Sequence, residues 1–125
     1  MINPSVLIVD DEKAARYGMK KILQRDSYIV YEAKDGTDAL HMIKTLQPAL
    51  VLLDINMPHL DGMKTLETIN MIKNPPLVVI VTAYGSEKIA VEAMKKGAYD
   101  YIAKPYEIDE LRIPYAAIDV DLDDG

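Results

Sequence analysis

Apolar residues along this chain follow two alternating periods. The short runs Ser5-Val-Leu-Ile-Val9, Ala49-Leu-Val-Leu-Leu53 and Leu77-Val-Val-Ile-Val81 are nearly unbroken and bounded by polar or turn residues. Such runs predict strands buried on both faces. Tyr28-Ile-Val-Tyr-Glu-Ala33 and the shorter Ala98-Tyr-Asp-Tyr-Ile-Ala103 predict two more strands. Between the strands the period lengthens. Ala15, Met19, Ile22 and Leu23 line one face of a helix expected over 13–25, with Lys and Arg opposite. A second helix starts at Asp35-Gly36-Thr37, carries Ala39, Leu40, Ile43 and Leu46, and is closed by Pro48. Met63, Leu66 and Ile69 to Ile72 mark a third, stopped by Asn74-Pro75-Pro76. Ser86 caps a fourth that carries Ile89, Ala90, Ala93 and Met94 and ends at Gly97. A fifth is expected near Asp109-Glu110-Leu111, where Pro114 cuts it short.

Five strand–helix alternations with short connections call for an α/β fold. The expected form is a doubly wound, five-stranded parallel sheet with helices on both faces. Composition fits one such unit. The chain has 125 residues, half of them apolar, which suits a single packed core. Its net charge of −6 argues against nucleic-acid binding through a basic face and suits a site that takes a cation. With no Cys, neither a disulfide framework nor a thiolate metal site can form. No apolar run approaches the roughly 18 residues of a membrane span, and Met1-Ile-Asn-Pro-Ser5 lacks the regions of a signal peptide. A cytoplasmic protein is the expectation.

The chemistry gathers at strand ends. Asp10 and Asp11 follow the first strand, Asp54 the third, Thr82 the fourth and Lys104 the fifth. In the flavodoxin-like order 2-1-3-4-5, the first and third strands are neighbours at the switch point, where ligands bind beyond the carboxyl ends. Asp10, Asp11 and Asp54 should then converge. Three close carboxylates repel one another unless their proton affinities rise or a cation sits among them. An all-oxygen, water-keeping site favours Mg²⁺. Three carboxylates, a divalent ion and Lys104 come close to neutrality, so an anionic phosphoryl group could enter. Asp54, delivered by the central buried strand, is the candidate nucleophile for an aspartyl phosphate. Thr82 supplies a hydroxyl for a phosphoryl oxygen. Each feature alone has an ordinary reading: an Asp-Asp pair as a helix cap, a strand-end Thr as β-propensity, a Lys-Pro pair as a loop. Their order along successive strand ends is what points to a site. His41 and His59 are read as solvated side chains outside it.

Val9-Asp10-Asp11-Glu12, Asp54-Ile-Asn-Met-Pro58, Asp61-Gly62, Thr82-Ala83 and Lys104-Pro105 together resemble the response-regulator receiver domain of two-component signalling. The resemblance covers about residues 4–112. Thr82-Ala-Tyr-Gly-Ser86 and Glu92-Ala-Met-Lys-Lys-Gly-Ala-Tyr-Asp-Tyr-Ile102 resemble in particular nitrogen-regulator-type receivers. The resemblance implies a switch that catalyses only its own phosphorylation and dephosphorylation. Asp54 takes a phosphoryl group from a phosphohistidine on a sensor histidine kinase or phosphotransfer protein. Asp11, Asp54 and the carbonyl of Asn56 bind Mg²⁺ directly, and Asp10 through water. Lys104 pairs with the carboxylates and then with the phosphoryl group. Thr82 and Tyr101 form the switch pair, Asn56 and Tyr84 tune self-dephosphorylation, and the Lys104–Pro105 bond is cis. Output runs through the face of the fourth helix, fifth strand and fifth helix, toward an output domain or a homodimer.

The family pattern breaks at the end of the chain. Residues 1–112 form the expected receiver domain and 113–125 an atypical acidic tail, with Ile118-Asp-Val-Asp-Leu-Asp123 alternating apolar and acidic. The tail is read as a frayed acidic end, with an edge strand or intermolecular contact as the alternative. A calcium loop is a third reading, weakened by a glycine one residue late and no downstream Glu. Two other function classes compete with the switch. One is a pseudo-receiver that binds partners without phosphorylation. The other is an aspartyl-phosphate phosphohydrolase, which would want Asp-x-Asp where this chain has Asp54-x-Asn56.

Overall fold

The computed structural model describes residues 4–57, 60–83 and 85–112, and the side chains of all of these except Met57 and Leu60. Five strands, β1 (Ser5–Val9), β2 (Ile29–Ala33), β3 (Leu50–Leu53), β6 (Leu77–Thr82) and β7 (Asp100–Ala103), form one sheet in the order β2-β1-β3-β6-β7. Every pairing in it is parallel, so the expected 2-1-3-4-5 order is the observed one. Helices α1 (Lys13–Arg25), α2 (Gly36–Leu46), α3 (Gly62–Asn70) and α4 (Glu87–Lys95) connect the strands, and residues 108–112, where the described part of the chain stops, are helical.

Because the central strands are apolar at successive positions, each contributes to two cores. Leu7, Val9, Val51, Leu53, Val78 and Ile80 face α2, α3 and α4 through Ala39, Ile43, Leu66, Ile69 and Ala93. Val6, Ile8, Leu50, Leu52, Val79 and Val81 face the opposite way, toward Met19 and Leu23 of α1 and Leu111 of the last turn. Burying a leucine such as Leu52 contributes about 1.5–3 kcal/mol over leaving it in water. The helix starts are set by polar caps that accept otherwise unpaired N–H groups. The Asp35 side chain accepts from Asp38 N–H at 2.8 Å, Asp61 from Met63 N–H at 3.0 Å and Ser86 from Ile89 N–H at 3.2 Å. Gln47 takes the left-handed conformation (φ 49°) after α2, just before Pro48. Gly97 (φ 104°) follows α4, where a residue without a Cβ is favoured.

Three boundaries differ from expectation. Between β3 and α3, where the apolar pattern predicts no element, two short strands lie. Asn56–Met57 (β4) and Leu60–Asp61 (β5) pair as a short antiparallel ladder, too brief to leave a periodic signature. Helix α3 stops at Asn70, before Ile72, because the Met71 and Ile72 N–H groups bond three residues back in a tightening last turn. β7 begins at Asp100 although the approach is already aligned, with Tyr99 N–H donating to Val78 O at 2.7 Å. Pro58, His59, Tyr84, Pro114 and the tail 113–125, with the readings placed on them, lie outside the described residues.

Candidate functional site

The register of the sheet assembles the site. Val9 pairs with Leu53, so the residues that follow them, Asp10 and Asp54, emerge side by side at the carboxyl edge. Backbone bonds carry the ladder one residue past each strand: Asp54 N–H donates to Val9 O at 2.9 Å and Asp10 N–H to Ala33 O at 3.1 Å. Lys104 is fixed the same way, its N–H donating to Thr82 O at 3.0 Å. Each reactive side chain is therefore mounted within one residue of a rigid strand end. The Lys104–Pro105 peptide bond is cis, as the resemblance implied.

Lys104 bridges two of the acids. Its Nζ donates to Asp10 Oδ2 at 2.6 Å and to Asp54 Oδ2 at 3.3 Å. The other oxygens of both carboxylates are held by backbone: Glu12 N–H donates to Asp10 Oδ1 and Asn56 N–H to Asp54 Oδ1, each at 2.9 Å. These bonds fix both carboxylate planes. Asp10 and Asp54 are buried, whereas Asp11 is exposed at the mouth. One ligand oxygen from each of Asp10, Asp11 and Asp54 lies within 4.8 Å of the others. Two such charges at that separation repel by about 3 kcal/mol at an effective dielectric of ~20. One lysine against three carboxylates leaves the cluster at −2, and burial at Asp10 and Asp54 sharpens that imbalance. The donors are all hard oxygens, close enough to share one small divalent cation with little movement. A cluster of this make-up suits Mg²⁺.

Burial alone would push the Lys104 ammonium below its ordinary value. The Asp10 hydrogen bond and the charges of Asp10 and Asp54 outweigh that and hold it above. The lysine is thus a fixed positive charge across the physiological range. Thr82 is fully buried at the end of β6. Asn56 is exposed in the short hairpin, with its N–H turned to Asp54. Tyr101 packs beside the core, its hydroxyl buried without a hydrogen-bond partner. Burial, and secondarily the Asp54 charge, raise its phenol above the usual value. His41 is exposed on α2 and is not among the groups that gather as a potential metal cluster.

Two contributors were not singled out in the sequence. Arg16 donates through Nη1 to the Asp10 carbonyl at 2.7 Å and through Nε to Glu32 at 3.1 Å, tying the β1–α1 loop to β2. In the sequence it is one of several basic residues on the polar face of α1, and only the fold shows that it points back to the loop. Tyr106 is half-buried near the Lys104–Asp10 pair, and burial raises its phenol above the ordinary value. Its position two residues after Lys104 was the available signal.

Comparison with known proteins gives a consistent result. The family model for the response regulator receiver domain matches residues 6–115. The chain is 37% identical over 108 residues to the regulatory protein AtoC of Escherichia coli (strain K12), covering 86% of this chain but 23% of that protein. It is 36% identical over 112 residues to sporulation initiation phosphotransferase F of Bacillus subtilis (strain 168), covering 90% of each. Among solved structures, the receiver domain of NtrX from Brucella abortus superimposes with a TM-score of 0.83 at 34% identity, over 90% of this chain and 95% of that one. The chain therefore spans less than a quarter of one relative and nearly the whole of another.

Proposed function

This chain belongs to the response regulator receiver family, a family of signalling modules, and we propose on that premise that Asp54 is its phosphoacceptor. Family membership implies a histidine kinase or phosphotransferase as partner. In the proposed reaction, a carboxylate oxygen of Asp54 forms a bond to the phosphorus of a phosphohistidine while the P–N bond breaks. The electron pair leaves with the imidazole nitrogen. The observation that supports this reading best is the bridging of Lys104 across Asp10 and Asp54, with Asp11 at the mouth. It gives an incoming phosphoryl group a fixed cation and an acceptor held in one orientation by Asn56 N–H.

Asp10, Asp11, Asp54 and the carbonyl of Asn56 would hold Mg²⁺, which when bound supplies charge neutralisation for an entering phosphoryl group. Lys104, already a donor to two carboxylates, would shift part of its bonding to phosphoryl oxygens. Thr82 and Tyr101 would respond as the switch pair, while Asn56 and Tyr84 would set how readily water reaches the acyl phosphate. Output would leave through α4, β7 and the last helical turn, where Val91 (48%), Met94 (46%), Tyr99 (45%) and Ile108 (49%) are large apolar residues left exposed. An output domain or a second copy of the chain is the proposed occupant of that face. Residues 1–112 would form the receiver and 113–125 an acidic tail. An ATP-using kinase partner puts the exchange in the cytoplasm, with no direct nucleic-acid contact by a chain of net charge −6. Among the described residues, no helix is long and apolar enough to cross a membrane.

A beryllofluoride titration tests the reading. With Mg²⁺ and beryllofluoride together, the melting temperature should rise, and neither alone should give the full effect. Asp54→Asn should abolish the joint effect. An equal rise in Asp54→Asn would refute Asp54 as the acceptor.

A further inference from the structure

The Tyr101 hydroxyl is buried with no hydrogen-bond partner, and what it rests against is a glycine. A Cβ added to Gly85, in the loop between β6 and α4, would lie 1.1 Å from that hydroxyl oxygen and 2.4 Å from Cζ. The ring tip thus fills the volume that any side chain at position 85 would need. The rest of the ring packs on the cluster that includes Ile80, Ala93 and Ala98, and Tyr101 pairs with Ile80 across β6 and β7.

We infer that Gly85 is a positioning residue that admits the Tyr101 ring to its buried pose, so that loop and ring move as one unit. The inference rests on the assignment of Tyr101 as a switch residue and names what permits one of its two states. Gly85 lies between Thr82, buried at the strand end, and Ser86, whose side chain caps α4. A displacement of Thr82 reaches the ring through this short stretch of backbone. The pose is balanced between opposing terms. Aromatic burial favours it, and a buried hydroxyl without a partner opposes it. A small shift of the loop can therefore tip the ring out.

Peptide-mapped nitration with tetranitromethane reads the ring directly. In the wild-type chain Tyr101 should be protected relative to Tyr17 and Tyr99, which are 58% and 45% exposed and serve as internal standards. In Gly85→Ala, Tyr101 should lose that protection and react like the standards. Circular dichroism and the unchanged reactivity of Tyr28, which is buried in the other core, verify that the variant is folded. Should Gly85→Ala fail to fold, thermal melting of the double variants decides. Gly85→Ala should cost little in a Tyr101→Leu background. It should stay costly in Tyr101→Phe, whose Cζ still lies 2.4 Å from the new methyl. Continued protection of Tyr101 in folded Gly85→Ala, or no rescue by Tyr101→Leu, overturns the inference. Phosphorylation by acetyl phosphate is followed on the same samples. If Asp54 takes no phosphoryl group in any variant while Tyr101 becomes reactive, the phosphoacceptor reading fails and the role of Gly85 stands.

Discussion

Replacing Lys104 with Met keeps most of the apolar stem of the side chain and removes its charge. The wild-type ammonium sits 2.6 Å from Asp10 Oδ2 and 3.3 Å from Asp54 Oδ2, and Asp10 is completely buried. In the variant, Asp10 keeps the Glu12 N–H bond at 2.9 Å and faces two other carboxylates within 4.8 Å. Removing one partner of a buried ion pair costs about 3–5 kcal/mol. The Lys104 side chain is 18% exposed, so water already reaches the pair and the lower end, about 3 kcal/mol, applies. For a domain of this size that lowers the melting temperature by about 10 °C. Urea unfolding in chelator-containing buffer measures it. The cause is isolated by Asp10→Asn/Lys104→Met, in which the completely buried Asp10 charge is gone and only Asp54, the more distant partner at 3.3 Å, loses its cation, so much of the loss should disappear. Added Mg²⁺ should also narrow the gap between wild type and Lys104→Met. A Lys104→Met variant within about 1 kcal/mol of wild type in chelator would refute the reasoning, because the charge on Asp10 would then be balanced by something other than Lys104.

Other expectations follow from single contacts. Gly62→Ala places a methyl 2.3 Å from Ile55 Cα and 2.6 Å from Ile55 O, backbone atoms that cannot step aside cheaply. A loss above about 2 kcal/mol is expected by denaturant unfolding, with weakened Mg²⁺ binding because Ile55 lies between Asp54 and Asn56. Ser86→Ala removes the 3.2 Å bond to Ile89 N–H and should cost about 1 kcal/mol in thermal melting, whereas Ser86→Asp should cost little. The Tyr106 phenol is raised above its ordinary value of 10.0 by burial, with Lys104 lowering it and Asp10 raising it. A raised folded value means that the unfolded chain releases this proton first. Its contribution to stability is therefore full below that ordinary value and is lost as pH rises through the folded value. Tyr106→Phe should make the fall in melting temperature at alkaline pH less steep than in wild type, and parallel curves would contradict this.

Much of this molecule was legible in the chain because its signals are redundant. The unbroken apolar runs point to burial on both faces, alternation with helical stripes calls for a parallel sheet, and the flavodoxin-like order, one of the common orders for such a sheet, brings Asp10 beside Asp54. The caps Asp35 and Ser86 were visible as polar residues ahead of apolar stripes. The capping of α3 by Asp61 depends on a side-chain orientation that spacing does not show. The β4–β5 ladder has two residues per strand, a single alternation that never repeats, so no periodicity could reveal it. Arg16 was hidden among interchangeable basic residues, and Gly85 between a strand and a cap. In both cases the role depends on a residue distant in sequence, Glu32 for the first and Tyr101 for the second. Tertiary proximity of that kind is what a single chain's pattern does not encode locally.

The central claim is that Asp54 accepts a phosphoryl group in a metal-dependent reaction, and intact mass spectrometry tests it most directly. After incubation with acetyl phosphate and Mg²⁺, the wild-type chain should gain the mass of one phosphoryl group. Asp54→Ala should gain none, and neither should wild type in excess chelator. A phosphoryl adduct on Asp54→Ala, or no adduct on a folded wild-type chain with Mg²⁺ present, would contradict the account.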